Sequence, residues 1–202
     1  MTHNRRGRPR EQGIDEAVRA AVNELLEEVG YQRCTVDAIA ARAGVGKAAL
    51  YRRWKSKAEL VFAAVVHDDA LAAPPDTGTL RGDVAGVLAD IQSALDGPQV
   101  RNALPGLLAD LRAEDAPTAR LGELFLVRER AYLVEVLDRA VDRGELLRRP
   151  EVPVVHAMLL GSVFAWLHLL REAVPPGGLA EALAPGLYGA IAGLGGVAHF
   201  PT

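Results

Sequence analysis

The chain has 202 residues, of which 50% are hydrophobic, 24% charged and 5% aromatic; that is enough to bury a substantial core as one domain or two small ones, and it excludes a disordered chain. The formal net charge of −3 is unevenly spread, with 12 Arg or Lys against 10 Asp or Glu in residues 1–70 and 11 against 16 in the rest. Cys34 is the sole cysteine, which excludes an intramolecular disulfide and a thiolate metal cluster and fits a reducing cytosol.

Ala, Leu, Arg and Glu dominate and apolar residues recur at helical spacing, so an all-α fold is expected. Residues 1–12 are rich in Arg and Gly and read as a flexible arm; no apolar run follows them, which argues against a signal peptide and for a cytoplasmic protein. From Ile14, the residues Val18, Ala21, Leu25 and Val29 form one apolar stripe of a first helix that Gly30 can end. Thr35 is placed to cap a short second helix, with Val36, Ile39, Ala40 and Ala43 facing inward and Asp37 in its first turn. Gly44-Val45-Gly46 makes a tight turn, a third helix runs to about Arg53, and Ser56 with Glu59 forms a capping box opening a fourth. Ala72 to Gly78, with Pro74 and Pro75, is the linker that separates a domain at 13–72 from one at 73–202. Beyond it, helices are expected at about 80–96, 99–113, 117–143, 153–172 and 179–195, with Pro185 bending or delaying the last.

Two short helices joined by a glycine turn, the second basic, are the ingredients of helix-turn-helix DNA recognition. Residues 31–57 set Arg33, Arg42, Lys47, Arg52, Arg53, Lys55 and Lys57 against Asp37 alone, a footprint that suits a polyanion and equally a solvated face. On the third helix Lys47, Ala48, Tyr51 and Arg52 share one face, and Leu50 and Trp54 lie on the opposite one. The run Thr35-Val36-Asp37-Ala38-Ile39-Ala40 through Ala43-Gly44-Val45, then Leu50-Tyr51-Arg52-Arg53-Trp54 and Lys57 to Leu60, resembles the signature of the TetR (tetracycline-repressor) family over about residues 14–65. The resemblance implies that Lys47, Ala48 and Ala49 sit where base edges are read, that Tyr51 and Arg53 meet a phosphate, and that Thr35 and Lys57 lie where helix starts meet the DNA backbone. Chemistry agrees: lysine donates to guanine acceptors, an alanine methyl meets a thymine methyl, and amides at helix starts bind phosphate. Gly46 departs from the family's usual capping serine, Arg53 from a frequent histidine and Trp54 from a frequent phenylalanine. The arm Arg5-Arg6-Gly7-Arg8-Pro9-Arg10 resembles an AT-hook core, with Arg8 as a minor-groove candidate; an unstructured tail adding only counterion-release affinity is the alternative.

For the second half, the resemblance implies a helical ligand-binding and dimerisation domain. Val152–Leu170 lacks Lys, Arg, Asp and Glu, but Pro153, His156 and His168 interrupt it, and it reads as a helix buried on two sides rather than a membrane span. The last helix spaces Ala182, Gly186 and Ala190, and Gly189 and Gly193, four apart, a small-residue seam suited to a homodimer through the last two helices. Phe62, Phe125, Arg128, Tyr132, His156, Phe164, Trp166 and His168 are candidate contacts for a small apolar effector, each of which also suits ordinary core or surface. No cofactor or metal is implied, and His67-Asp68-Asp69 reads as the polar end of the fourth helix. An enzyme is disfavoured because Glu-x-x-His, Gly-x-Ser-x-Gly and phosphate-cradling glycine patterns are missing. The expected function is a dimeric transcriptional regulator, a repressor in the manner the resemblance implies, that binds a palindromic operator on double-stranded DNA and is released by a small apolar effector; the alternative is an architectural protein coating AT-rich DNA.

Overall fold

The structure, a computed structural model, describes residues 8–65, 73–113, 117–170 and 172–196. Among them nine α-helices follow one another without a strand: α1 (Arg8–Arg33), α2 (Val36–Ala43), α3 (Lys47–Arg53), α4 (Lys57–Val65), α5 (Leu80–Leu95), α6 (Pro98–Ala113), α7 (Pro117–Asp142), α8 (Val152–Phe164) and α9 (Leu179–Gly195). A π-helical turn, Ala165–Leu170, continues α8. Helix α1 opens earlier than the expected start near Ile14, because Arg, Gln and Glu are good helix formers and Pro9 sits in the first turn, where its missing N–H costs nothing.

Two compact units emerge that are not contiguous in sequence: Met1–Asp68 with Pro98–Gly122, and Asp69–Gly97 with Glu123–Thr202. The core of the first joins Val18, Val22 and Leu26 of α1, Ile39, Leu50, Leu60 and Val61, and Ala103 and Leu107 of α6. Helix α6 is tied to α1 by polar contacts as well: Gln99 Nε2 donates to Glu27 at 2.6 Å and Tyr31 Oη donates to Asp110 at 2.6 Å.

The second unit packs Leu80, Val84 and Leu88 of α5, Leu133, Val136 and Leu137 of α7, Val155, Leu159 and Val163 of α8, and Leu179, Ile191 and Ala192 of α9 into one apolar cluster. Among the described residues its one fully buried carboxylate, Asp83, lies on α5, where Oδ1 accepts from the Thr77 amide at 2.7 Å and the Thr77 hydroxyl at 2.8 Å, and Oδ2 accepts from Arg143 at 2.9 Å. Burial alone would raise this carboxyl; the Thr77 and Arg143 donors outweigh it and hold Asp83 below its ordinary value. Arg139 in turn donates to the Pro75 carbonyl at 2.6 Å, so the segment 75–79 is fastened to the ends of α5 and α7.

Helix α9 spans the expected residues, and α8 buries one of its sides within the chain. Pro185 neither delays nor interrupts α9, which runs from Leu179 to Gly195 with the proline inside it. Val152–Leu170, the stretch long and apolar enough to cross a membrane by length and composition, is not covered all round: 22% of its most apolar window is buried within the chain. Val155, His156, Leu159 and Val163 face the core, whereas Val154, Ala157, Gly161, Leu169 and Leu170 are exposed.

Candidate DNA-binding site

The helix pair α2–α3 is set by its ends. The Thr35 hydroxyl accepts the Ala38 amide at 3.2 Å and caps α2. Gly44 closes the helix in the left-handed region, with φ 66°, and this lets the Val45 amide return to the Ala40 carbonyl at 3.0 Å. Gly46 opens α3 without a side-chain cap, its carbonyl accepting from the Ala49 amide at 2.8 Å. At the start of α4 the Ser56 hydroxyl accepts the Glu59 amide at 3.0 Å, while the Glu59 carboxylate accepts the Lys55 amide.

Leu50, 1% exposed, anchors α3 in the core, and Trp54 packs against the same cluster. Lys47, Ala48, Tyr51 and Arg52 are exposed together on the other side, Tyr51 to 44%, and Ala49 is half-buried. The Lys47 ammonium lies 2.7 Å from Asp37 and 6.0 Å from the centre of the Tyr51 ring, and the Asp37 carboxylate raises its pKa. Thr35 is exposed and Lys57 half-buried at the starts of α2 and α4.

Two of the candidate arginines are engaged elsewhere within the chain. Arg42 donates through both terminal nitrogens to Glu28, at 2.9 and 2.7 Å, and also to Glu24 at 3.0 Å, clamping α2 to α1; its guanidinium holds Glu28 below the usual carboxylate range. Arg53 donates to Asp15 at 2.6 Å. None of these three carboxylates is visible from spacing along the second or third helix, because all arrive from α1. The side chain of Arg8, and the Arg-rich segment before it, lie outside the described residues, as do His67, Asp68 and Asp69.

The candidate effector contacts are not one cluster. Phe62 packs in the core of the first unit, whereas Tyr132, His156 and Trp166 belong to the second. Tyr132 donates to Asp90, and burial followed by that bond pushes its phenol well up. His156 Nε2 is 2.6 Å from Glu129, Phe164 and His168 pair with ring centres 5.2 Å apart, and Trp166 Nε1 is enclosed with no hydrogen-bond partner in the protein. Arg128 is exposed, and the side chain of Phe125 lies outside the described residues. An open groove of about 550 Å³ lies elsewhere in the second unit, lined by Thr79, Arg81, Gly82 and Ala85 of α5 and its cap and by Ala180, Glu181 and Ala184 of α9.

A glycine-turned helix pair whose second helix presents a basic, aromatic face defines a helix-turn-helix DNA-binding protein. Comparison with known proteins narrows the class. The profile of bacterial regulatory proteins of the tetR family matches residues 18–64, and that of the tetracyclin repressor-like C-terminal domain matches residues 74–184. The HTH-type transcriptional regulator YdeS of Bacillus subtilis is 30% identical over 176 residues, covering 85% of this chain and 86% of its own length. The HTH-type transcriptional regulator Mb1581 of Mycobacterium bovis is 40% identical over 128 residues, 63% of this chain, and the match spans 62% of that relative's length. Among solved structures, the TetR family transcription regulator SCO0332 superposes with a TM-score of 0.63 at 29% identity, over 88% of this chain and 98% of that one. The chain belongs to the TetR family, whose members are transcriptional regulators and not enzymes.

Proposed function

We propose that the protein is a homodimeric repressor that holds a palindromic operator through α3 of each subunit and lets go when a small apolar effector binds. The observation that carries this is the division of α3: Leu50 pins one side in the core while Lys47, Ala48, Tyr51 and Arg52 stand together in solvent on the other. Ala49 completes the base-reading stretch, and Thr35 and Lys57 hold the backbone on either side of it. Arg42 and Arg53 reach phosphate only by exchanging the α1 carboxylates they already hold. In this reading DNA binding falls to residues 13–72, and effector binding with dimerisation to 73–202.

Support for the dimer comes from the uncovered sides of α8 and α9. Ala182, Gly186, Gly189, Ala190 and Gly193 are all exposed, so the small-residue seam lies on the outside of the chain, beside the exposed Leu194 and near-continuous with no charged side chain but Glu181 on its helix. A second copy laid on α8 and α9 would cover Val154, Ala157 and Gly161 in the same step, giving a four-helix interface. Effector binding is assigned to the second unit near Tyr132, His156, Phe164, Trp166 and His168, where the enclosed Trp166 N–H awaits an acceptor. A DNA partner supports a cytoplasmic location.

The test is selection of bound fragments from random DNA by the purified protein, followed by footprinting with excess nonspecific DNA. A sharp, two-fold symmetric footprint that shrinks on adding apolar metabolites is the expected result. Uniform coverage, the behaviour of an architectural coat, would overturn it.

A further inference from the structure

Tyr31 is held in the first unit from several sides. It follows the break in α1 at Gly30, where φ is 72°, and its ring is 4% exposed. Its hydroxyl donates to Asp110 of α6 at 2.6 Å, 79 residues away. Helix α6 comes against the ring at Gly106, where an added Cβ would stand 2.2 Å from Tyr31 Cδ1. The Lys57 ammonium sits over the ring, 3.8 Å from its centre.

This arrangement exceeds what core packing requires. A leucine would fill apolar space without needing a carboxylate 79 residues off or a glycine opposite it. What the ring adds is a negative face presented to a cation at the first residue of α4. A lysine stem has several rotatable bonds, and ordering it on DNA is costly in entropy. A stem already seated on a fixed ring meets phosphate with that cost reduced.

Resting on the proposed DNA reading of Lys57, we propose that Tyr31 is a positioning residue for operator binding: Asp110 and Gly106 fix its ring, and the ring fixes the Lys57 ammonium for a DNA phosphate. Helix α6 thereby belongs to the machinery of DNA contact without touching DNA. Substitution at Tyr31 acts through Lys57 and through no other lysine.

The test uses the full chain and a duplex that the protein has itself selected from random DNA. The slope of log K against log salt counts the phosphates neutralised, at about 0.9 per contact. Lys57→Met is expected to flatten the slope by about that amount, Tyr31→Leu by a similar amount, and the double variant no further, while Tyr31→Phe, which keeps the ring but loses the Asp110 bond, falls between Tyr31→Leu and the native slope. Because Tyr31→Leu removes core volume, a measurement on the native protein stands beside it. The chain has only three lysines, Lys47, Lys55 and Lys57, and the ε-methylene protons of Lys57 should resonate upfield of those of exposed Lys55 through the ring current, also in Tyr31→Phe. Unshifted Lys57 protons, or slopes that simply add in the double variant, would overturn the inference. If Lys57→Met leaves the slope intact while Lys47→Ala with Tyr51→Ala abolishes selective binding, the positioning role fails and the DNA reading stands; if neither variant set has an effect, both fail.

Discussion

Replacing Asp83 by Asn tests the joint that fastens the 75–79 segment to α5 and α7. The two oxygens have separate work: Oδ1 accepts both Thr77 donors, at 2.7 and 2.8 Å, and Oδ2 accepts Arg143 at 2.9 Å. An asparagine can keep Oδ1 on Thr77, which leaves its amide N–H facing the guanidinium, donor against donor. One charge-assisted bond is lost, a loss of about 1.5–3 kcal/mol. Arg143 is not stranded, since Glu145 remains at 2.7 Å and Asp76 at 3.5 Å and its side chain is 25% exposed. The expected destabilisation for Asp83→Asn is therefore about 2 kcal/mol, and Asp83→Ala, which also drops both Thr77 bonds at a fully buried site, should cost more, about 3–5 kcal/mol. Urea unfolding followed by circular dichroism reads both values. The sign with pH follows from the direction of the shift: a carboxyl held below its ordinary 3.8 in the folded state contributes stability above that value and loses it as pH falls through the lowered one. The gap between wild type and Asp83→Asn should thus be constant from about pH 5 to 8 and narrow only in stronger acid. Equal unfolding midpoints at neutral pH, or a gap that widens in acid, would refute the reasoning.

Three further outcomes are expected. Cys34 is fully buried, and burial pushes its thiol up despite the opposing charge of Lys57, so a thiol reagent at about pH 8 should label it only on unfolding; rapid labelling of the native protein would contradict this. Arg52→Gln should flatten the salt dependence of operator binding by about one phosphate contact, while Arg42→Gln, whose guanidinium is held by Glu24 and Glu28, should leave it nearly unchanged; equal effects would place Arg42 at the DNA. Gly189→Arg, on the exposed seam of α9, should shift the protein to monomer in sedimentation, and an undisturbed dimer would move the interface elsewhere.

What the sequence determined by itself was decided within a few residues. The Thr35 cap, the Gly44 turn and the opposition of Leu50 to Lys47 and Tyr51 depend on helical geometry and on neighbours no more than a turn or two away, so spacing was enough to locate them. The helices of the second half were legible for the same reason, their ends marked by Pro98, Pro117, Gly144 and Gly178. Tertiary structure alone decided which charges are spent inside the chain. In a list of basic residues Arg42, Arg53 and Lys47 look alike; the fold gives Lys47 the Asp37 carboxylate of α2 and gives Arg42 and Arg53 those of Glu24, Glu28 and Asp15 on α1. It also decided that α6 joins the first unit, that Phe62 packs there while Tyr132 and His156 lie in the second, and that Asp83 and Tyr31 are held by partners distant along the chain. Burial and ion pairing depend on segments that meet only after folding, and no periodicity records the meeting.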